Sequence, residues 1–417
     1  MRSTICSVLA LCAAAAPVLA ADWPQWGGTV ERNMAAEEAD IPDTFHPGRK
    51  TRTRLGFDPT SARNVRFIAR LGSENYSAPV VADGRIYIGT NDEDIDDPRI
   101  APTRGGVLMC LDERSGDLAW RLVVPRLEID RSKVSEDFDD MNLGICSTAT
   151  VDGDRVYLVT NRCEVVCLDA DGLADGNQGP FTDEASFSVP AGAAPLAAGA
   201  ATGPAPAILE EVWKFDCNPA GYRSRAGVPI DYWALVRGAK KDLDKDGMLV
   251  SPCEVIGTPV IHDGRIYVGI GQDPVHGPGR GALSCIALDG DRGDVTATNR
   301  VWQYLGIGRS LSTVSVVDGL VYAAEHAGKV HCLDAKTGNL IWVHDTRDEI
   351  WSSTFVVDGK VFIGTRKGLT ILRAGREREH VADIRLGTPV WSVPTAANGT
   401  LFVASQKNLW AVAGPAE

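Results

Sequence analysis

The sequence predicts an all-β protein, a β-propeller of about six four-stranded blades, with seven or eight blades left open. Three observations carry this. A hairpin motif recurs six times, its last three copies are spaced by 40 residues each, and the two ends of the chain hold complementary parts of one blade.

The six hairpins read SAPVVADGRIYIGT from Ser77, CSTATVDGDRVYLVT from Cys146, GTPVIHDGRIYVGI from Gly257, STVSVVDGLVYAAE from Ser312, SSTFVVDGKVFIGT from Ser352 and SVPTAANGTLFVAS from Ser392. Each joins a β-branched run to a second, aromatic-bearing run through Asp-Gly or Asn-Gly, because a tight primed turn needs residues that accept positive φ. The aromatics are Tyr87, Tyr157, Tyr267, Tyr322, Phe362 and Phe402. Five fall four residues after the turn Asp or Asn, whereas Tyr157 falls five after Asp152, which predicts a longer turn or a bulge there.

Third and fourth strands follow. LMCLDERSGDLAW (108–120) and VHCLDAKTGNLIW (330–342) show an apolar strand, a polar turn ending in Gly, and a strand carrying Trp. Trp213 and Trp302 take comparable places after longer interruptions. Repeat-periodic indoles of this kind predict docking between blades for Trp120, Trp213, Trp302 and Trp342. Trp302 and Trp342 each lie 16 residues before the next turn Asp, and Phe67 lies 16 before Asp83. Residues 64–71 are therefore a fourth strand with no blade before it, and NLWAVAG at 408–414 is a third strand with no fourth behind it. The N-terminal strand is expected to complete the C-terminal blade, which removes both free edges.

The predicted organisation is a signal peptide at 1–20, an N-terminal extension at 21–63 and the propeller at 64–417. The propeller carries an Ala/Gly/Pro-rich insert at 171–210 and a loop insert at 217–255. The apolar run Ile5 to Ala16 is too short to span a bilayer, and Val18 and Ala20 suit a cleavage site, so export with a mature start at Ala21 is expected. The destination is periplasmic or secreted, and the mature chain is expected to be a monomer without a transmembrane segment. With 42 Lys and Arg against 55 Asp and Glu, the net charge is -13, which disfavours a nucleic-acid partner. Cys110, Cys167, Cys285 and Cys332 precede Leu-Asp or a near equivalent and read as small core residues. Cys146, Cys163, Cys217 and Cys253 are the better disulfide candidates.

The Leu-Asp turns followed by Trp (Leu111 to Trp120, Leu333 to Trp342), the PVV-x-DGRIY hairpins and the opening Asp22-Trp-Pro-Gln-Trp resemble the PQQ-like (pyrroloquinoline quinone-like) β-propeller repeat proteins. That family includes the outer-membrane assembly protein BamB and quinoprotein alcohol dehydrogenases. The resemblance covers about residues 64 to 413 apart from the inserts, and implies fold more than activity. For the enzymes it implies PQQ stacked on Trp, a bridging Ca²⁺, a catalytic Asp and two adjacent cysteines. This chain has no Cys-Cys pair.

Strand order assigns the Asp-Gly and Thr-Gly-like turns to one face, and most insertions to the other. Long loops on a rigid scaffold usually bind, so the loop-bearing face is the expected site. Seven residues before each turn Asp or Asn stand Tyr76, Ile145, Ile256, Leu311, Trp351 and Trp391, at the start of the channel-lining strands. Tyr76, Trp351 and Trp391 would form an aromatic platform, with Arg309, Glu349 and Glu254 aiming charge at the mouth. His276 lies on the same face. Asp242, Asp244 and Asp246, followed by Gly247, match the first half of a calcium loop.

No phosphate loop, nucleophile elbow or acid/base constellation occurs. The expected function is a non-catalytic scaffold that binds an envelope protein or a small ligand, with no cofactor. The alternatives are a quinoprotein dehydrogenase using PQQ and calcium, and a carbohydrate-binding propeller. Catalytic activity stays open on this reading, with the balance against it.

Overall fold

The structure is a computed structural model that describes residues 21–95, 97, 102–126, 141–172, 212–225, 227–230, 244–288 and 292–414. Both the 1–20 leader and nearly all of the 171–210 insert fall outside these residues. Among the described residues, six antiparallel sheets follow one another along the chain, each built on one of the six hairpins. Blade 1 holds Val80–Ala82, Arg85–Asn91, Gly106–Asp112 and Leu118–Val124. Blade 2 holds Thr150–Asp152, Arg155–Val159 and Val165–Asp169, with no fourth strand described. Blades 3 to 5 are four-stranded, and blade 5 gains Ala35–Ala36 as a parallel strand on its inner edge. Blade 6 is completed by Val65–Arg70, which pairs antiparallel with Asn408–Val412, so the two ends of the chain share one sheet.

The hairpin turns have the geometry their residues favour. Asp83, Asp263, Asp318, Asp358 and Asn398 have φ between 47° and 51°, and the glycine after each is also positive, the pattern of a type I′ turn. Blade 2 differs from expectation. Its strands pair Asp152 with Arg155, so the turn residues are Gly153 and Asp154, and of these only Gly153 is positive. The turn has moved one residue along the chain, with neither lengthening nor bulge. Tyr157 then stands four residues after the first turn residue, as in the other blades.

A row of three side chains across each blade explains the repeat cysteines. Tyr87, Cys110 and Trp120 are direct cross-strand partners in blade 1, as are Tyr267, Cys285 and Trp302 in blade 3 and Tyr322, Cys332 and Trp342 in blade 4. The small thiol lets the flanking rings lean together, with centroids 5.9 to 6.0 Å apart. Burial pushes the Cys110 and Cys332 thiols up to about 12, so they are inert packing groups. Cys167 occupies the same register in blade 2 but is exposed, since no described fourth strand covers it.

The indoles then bridge blades. Trp120, Trp302 and Trp342 donate their Nε1–H to the carbonyls of Ala170, Ala335 and Gly375 at 2.9 to 3.0 Å, each in the following blade. Two of these rings lie on a left-handed glycine of that blade's third-to-fourth turn region. A Cβ on Gly172 would come within 2.8 Å of Trp120, and one on Gly338 within 2.6 Å of Trp302. The Leu-Asp…Gly…Trp pattern thus codes a flat seat and the ring that fills the next one. Trp213 lies outside the described sheet of blade 2. Trp213–Lys214 forms a separate two-stranded parallel sheet with Gly293–Asp294, which lies between the third and fourth strands of blade 3, and pairs with no described strand of blade 2.

Serine and threonine side chains tie the inner strands sideways. Ser312 Oγ donates to Ser352 O at 2.6 Å, Ser352 Oγ to Ser392 O at 2.9 Å, and Thr395 Oγ1 to Pro79 O at 2.8 Å, linking blades 4, 5, 6 and 1. Ala78 N–H donates to Thr148 Oγ1 at 3.2 Å between blades 1 and 2.

Residues 21–38 are the least expected part of the fold. They run across the inner edges of blades 1 to 5 at the turn end and meet blade 6 at its hairpin turn. The N–H groups of Val81, Val151, Ile261 and Val356 donate to the carbonyls of Trp23, Pro24, Glu31 and Met34. Val316 exchanges both backbone bonds with the Asn33 side chain, and Gly399 N–H donates to Glu38. Inner-strand N–H groups at equivalent positions are thereby paired by one strap, with Trp23 and Met34 buried in the largest core.

Candidate functional site

The inner strands leave a cavity of about 200 Å³ opening on the loop-bearing face. Tyr76, Ile256, Leu311, Trp351 and Trp391 line it together, so five of the six expected channel positions converge. The sixth follows the shifted turn. Counted from Gly153, the equivalent position is Cys146, while Ile145 is fully buried behind it. Burial pushes the Tyr76 phenol up to about 12, with Glu74 and Cys146 close enough to add to the shift. Trp351 and Trp391 lie 5.9 Å apart at 53°, and Trp351 is 37% exposed. His326 packs edge-on against Trp351 at 5.3 Å, and burial lowers its pKa, which keeps the ring neutral near pH 7.

Trp26 also lines the cavity. It belongs to the strap, so part of the cavity wall comes from the N-terminal extension. Its Nε1–H is buried with no acceptor among the described residues. Periodicity carried no signal for Trp26, because the strap has no repeat. Only the aromatic pair in Asp22-Trp-Pro-Gln-Trp hinted at it.

The expected charges at the mouth go elsewhere. Arg309 is buried, donates to the Gly277 carbonyl, and holds the 272–281 loop, outside the cavity lining. Glu349 pairs with Arg366 at 3.3 Å. Glu254 is engaged through its backbone with Gly271, and His276 closes a short 3-10 turn from Pro274. The cavity lining therefore holds no charged side chain.

Behind the mouth, at the seam of blades 3 and 4, lies a buried polar relay. Tyr304 Oη meets His331 Nδ1 at 3.1 Å, and His331 Nε2 meets Glu325 Oε2 at 3.2 Å. Burial pushes the Glu325 carboxyl up, but His331, the Gly308 N–H and Lys329 outweigh it and hold its pKa below normal. Its stabilising contribution is thus complete above the ordinary carboxylate value of about 4.3 and is lost as pH falls through the lowered one. Glu325→Gln should reduce the urea midpoint clearly at about pH 7 and much less at about pH 3. A gap that stays constant with pH would show that the carboxylate charge is not what stabilises the seam.

The calcium expectation is not supported by the geometry. Asp242 lies outside the described residues. Asp244 accepts from Arg280 Nε at 2.7 Å, Asp246 pairs with the same guanidinium, and Asp244 Oδ1 caps its own loop through Asp246 and Met248. A cation would have to displace Arg280. No group of three or more potential metal ligands occurs among the described residues. The proposed disulfides are likewise absent. Cys163, Cys217 and Cys253 form no disulfide with a described residue in this structure. The quinone implied by the resemblance is a planar polycarboxylate, and a lining without a cation does not fit it.

Residues 249–414 match the family model described as PQQ_2, outer membrane protein assembly factor BamB. A curated relative, the dehydrogenase subunit of a quinone alcohol dehydrogenase from Acetobacter aceti, is 33% identical over 95 residues. That match spans 20% of this chain and only 12% of the relative's length. The crystal structure of BamB from Moraxella catarrhalis aligns over 80% of both chains at 14% identity, with a TM-score of 0.37. Among the described residues no helix is long and apolar enough to cross a membrane.

Proposed function

We propose that this chain of PQQ-like, BamB-like repeats is a non-catalytic binding scaffold. Its loop-bearing face takes an aromatic or flat apolar group of a protein partner into the central cavity. One observation carries the reading: a cavity without a charged side chain in its lining, walled by Tyr76, Trp351, Trp391 and Trp26. At about 200 Å³ it falls below the roughly 300–1,000 Å³ of small-molecule sites, yet it suits one inserted side chain. Anchors of that kind dominate protein interfaces.

An envelope setting is part of the proposal. The Ala21 amide donates to buried Glu38 at 3.1 Å. Cleavage after Ala20 would turn that amide into an ammonium facing the carboxylate, which strengthens the strap in a processed chain.

A peptide-display selection against residues 21–417 tests the reading. Aromatic-anchored ligands are expected, and Trp391→Ala should weaken them about 30-fold, the effect of an anchor worth about 2 kcal/mol. Ligands indifferent to Trp391→Ala would overturn it. So would saturable, calcium-dependent quenching of tryptophan fluorescence by PQQ.

A further inference from the structure

We infer that the protein carries a second binding site, for a compact polyanion, beside the outer strand of blade 6. A cavity of about 480 Å³ lies there, separate from the central one. Lys50, Arg54, Arg70 and Lys407 line it, and Asp94 is the one carboxylate in its wall. On a chain of net charge -13, this is a local excess of positive charge.

The walls are held in place by the fold. Asn408 Nδ2 donates to Leu55 O at 3.1 Å and fixes the loop of the hairpin made by Arg49–Lys50 and Phe57–Asp58. Phe57 packs edge-on against buried Trp410 at 5.4 Å. Arg70 is the anchor. Its side chain is 13% exposed, with Nη1 donating to Lys407 O at 2.9 Å and Nη2 to Asp94 at 2.8 Å. Its Nε is buried without an acceptor among the described residues. Burial pulls its pKa down, and neighbouring Arg54 adds to this against Asp94. Neither Lys50 nor Lys407 forms an ion pair with a described residue. The Lys50 ammonium lies over Gly387, where a Cβ would be 3.7 Å away.

Cations gathered in a partly enclosed space repel one another, and an anion with several charges relieves that repulsion at once. Asp94 is already engaged by Arg70, so the ammonium groups of Lys50 and Lys407 are the ones offered to the ligand. The volume is within the roughly 300–1,000 Å³ of small-molecule sites, and Leu55 and Leu386 offer an apolar flank to an organic portion. The ligand class is therefore a diphosphate or polycarboxylate compound.

Calorimetric titration of residues 21–417 with inorganic diphosphate, and separately with citrate, tests this and shows which of the two chemistries is preferred. Saturable binding that weakens with added salt is expected for at least one of them. The Lys50→Glu/Lys407→Glu variant should lose about tenfold or more in affinity, at an unchanged urea midpoint. Lys336→Glu, on the turn face, should lose nothing, and neither should Trp391→Ala. Absence of saturation with both anions would overturn the site, as would equal losses in the Lys50/Lys407 and Lys336 variants.

Discussion

Deleting residues 22–38 is expected to abolish cooperative folding, or to leave a protein that melts far below the intact one. The strap buries Trp23 and Met34 at the centre of the largest core, with Trp23 edge-on to Phe355 at 5.4 Å. Truncating such residues singly to Ala costs about 3–5 kcal/mol for Trp and about 2–5 kcal/mol for Met. The hydrogen bonds to Val81, Val151, Ile261, Val316 and Val356 add roughly 0.5–1.5 kcal/mol each. Together these terms rival the whole stability of a typical domain, about 5–15 kcal/mol. Urea unfolding followed by near-UV circular dichroism gives the answer, with Trp23→Ala and Asn33→Ala as graded steps. An unchanged midpoint in the deletion would mean that the extension is an appendage, and that Trp26 is no structural part of the cavity wall.

Gly338→Ala should be damaging for a single glycine change at a blade seam, although it adds one methyl group. Gly338 has φ +72°, a region that costs an L-residue about 1–2 kcal/mol. The new Cβ would also sit 2.6 Å from the Trp302 indole, whose ring is pinned by its bond to Ala335 O. Displacing that ring opens the seam of blades 3 and 4, and the total loss is expected at about 2–4 kcal/mol. Gly319→Ala is the matched comparison. It has φ +70° and nothing within 4 Å of its Cβ, so it carries only the backbone strain. Urea midpoints that fall equally in the two variants would show that the glycine seat is not what docks the blades.

The candidate site was partly legible. Counting seven residues back from each turn found Tyr76, Trp351 and Trp391 because the inner strands share one register and therefore one height in the channel. The same count named Ile145 in place of Cys146, since Asp152-Gly-Asp can form either of two turns, and only the pairing of Asp152 with Arg155 and of Thr150 with Tyr157 decides between them. Arg309 was placed at the mouth by offset alone. Its long side chain instead follows the nearest carbonyl, at Gly277.

What the sequence determined by itself is the local code. Alternating β-branched runs, the left-handed preference of Asp-Gly and Asn-Gly, and aromatics at fixed offsets specify each hairpin. The 16-residue offset of Phe67 specifies that the first strand closes the last blade. Tertiary structure alone decided where the strap runs, how Trp213 pairs, and which remote cations meet beside blade 6. Four of the strap's hydrogen bonds to the inner strands use its backbone carbonyls, which every residue carries alike, so its path leaves little trace in side-chain periodicity. Lys50, Arg70 and Lys407 are neighbours only because blade 6 is made from both ends of the chain, and no local pattern can encode a distance that the closed sheet creates.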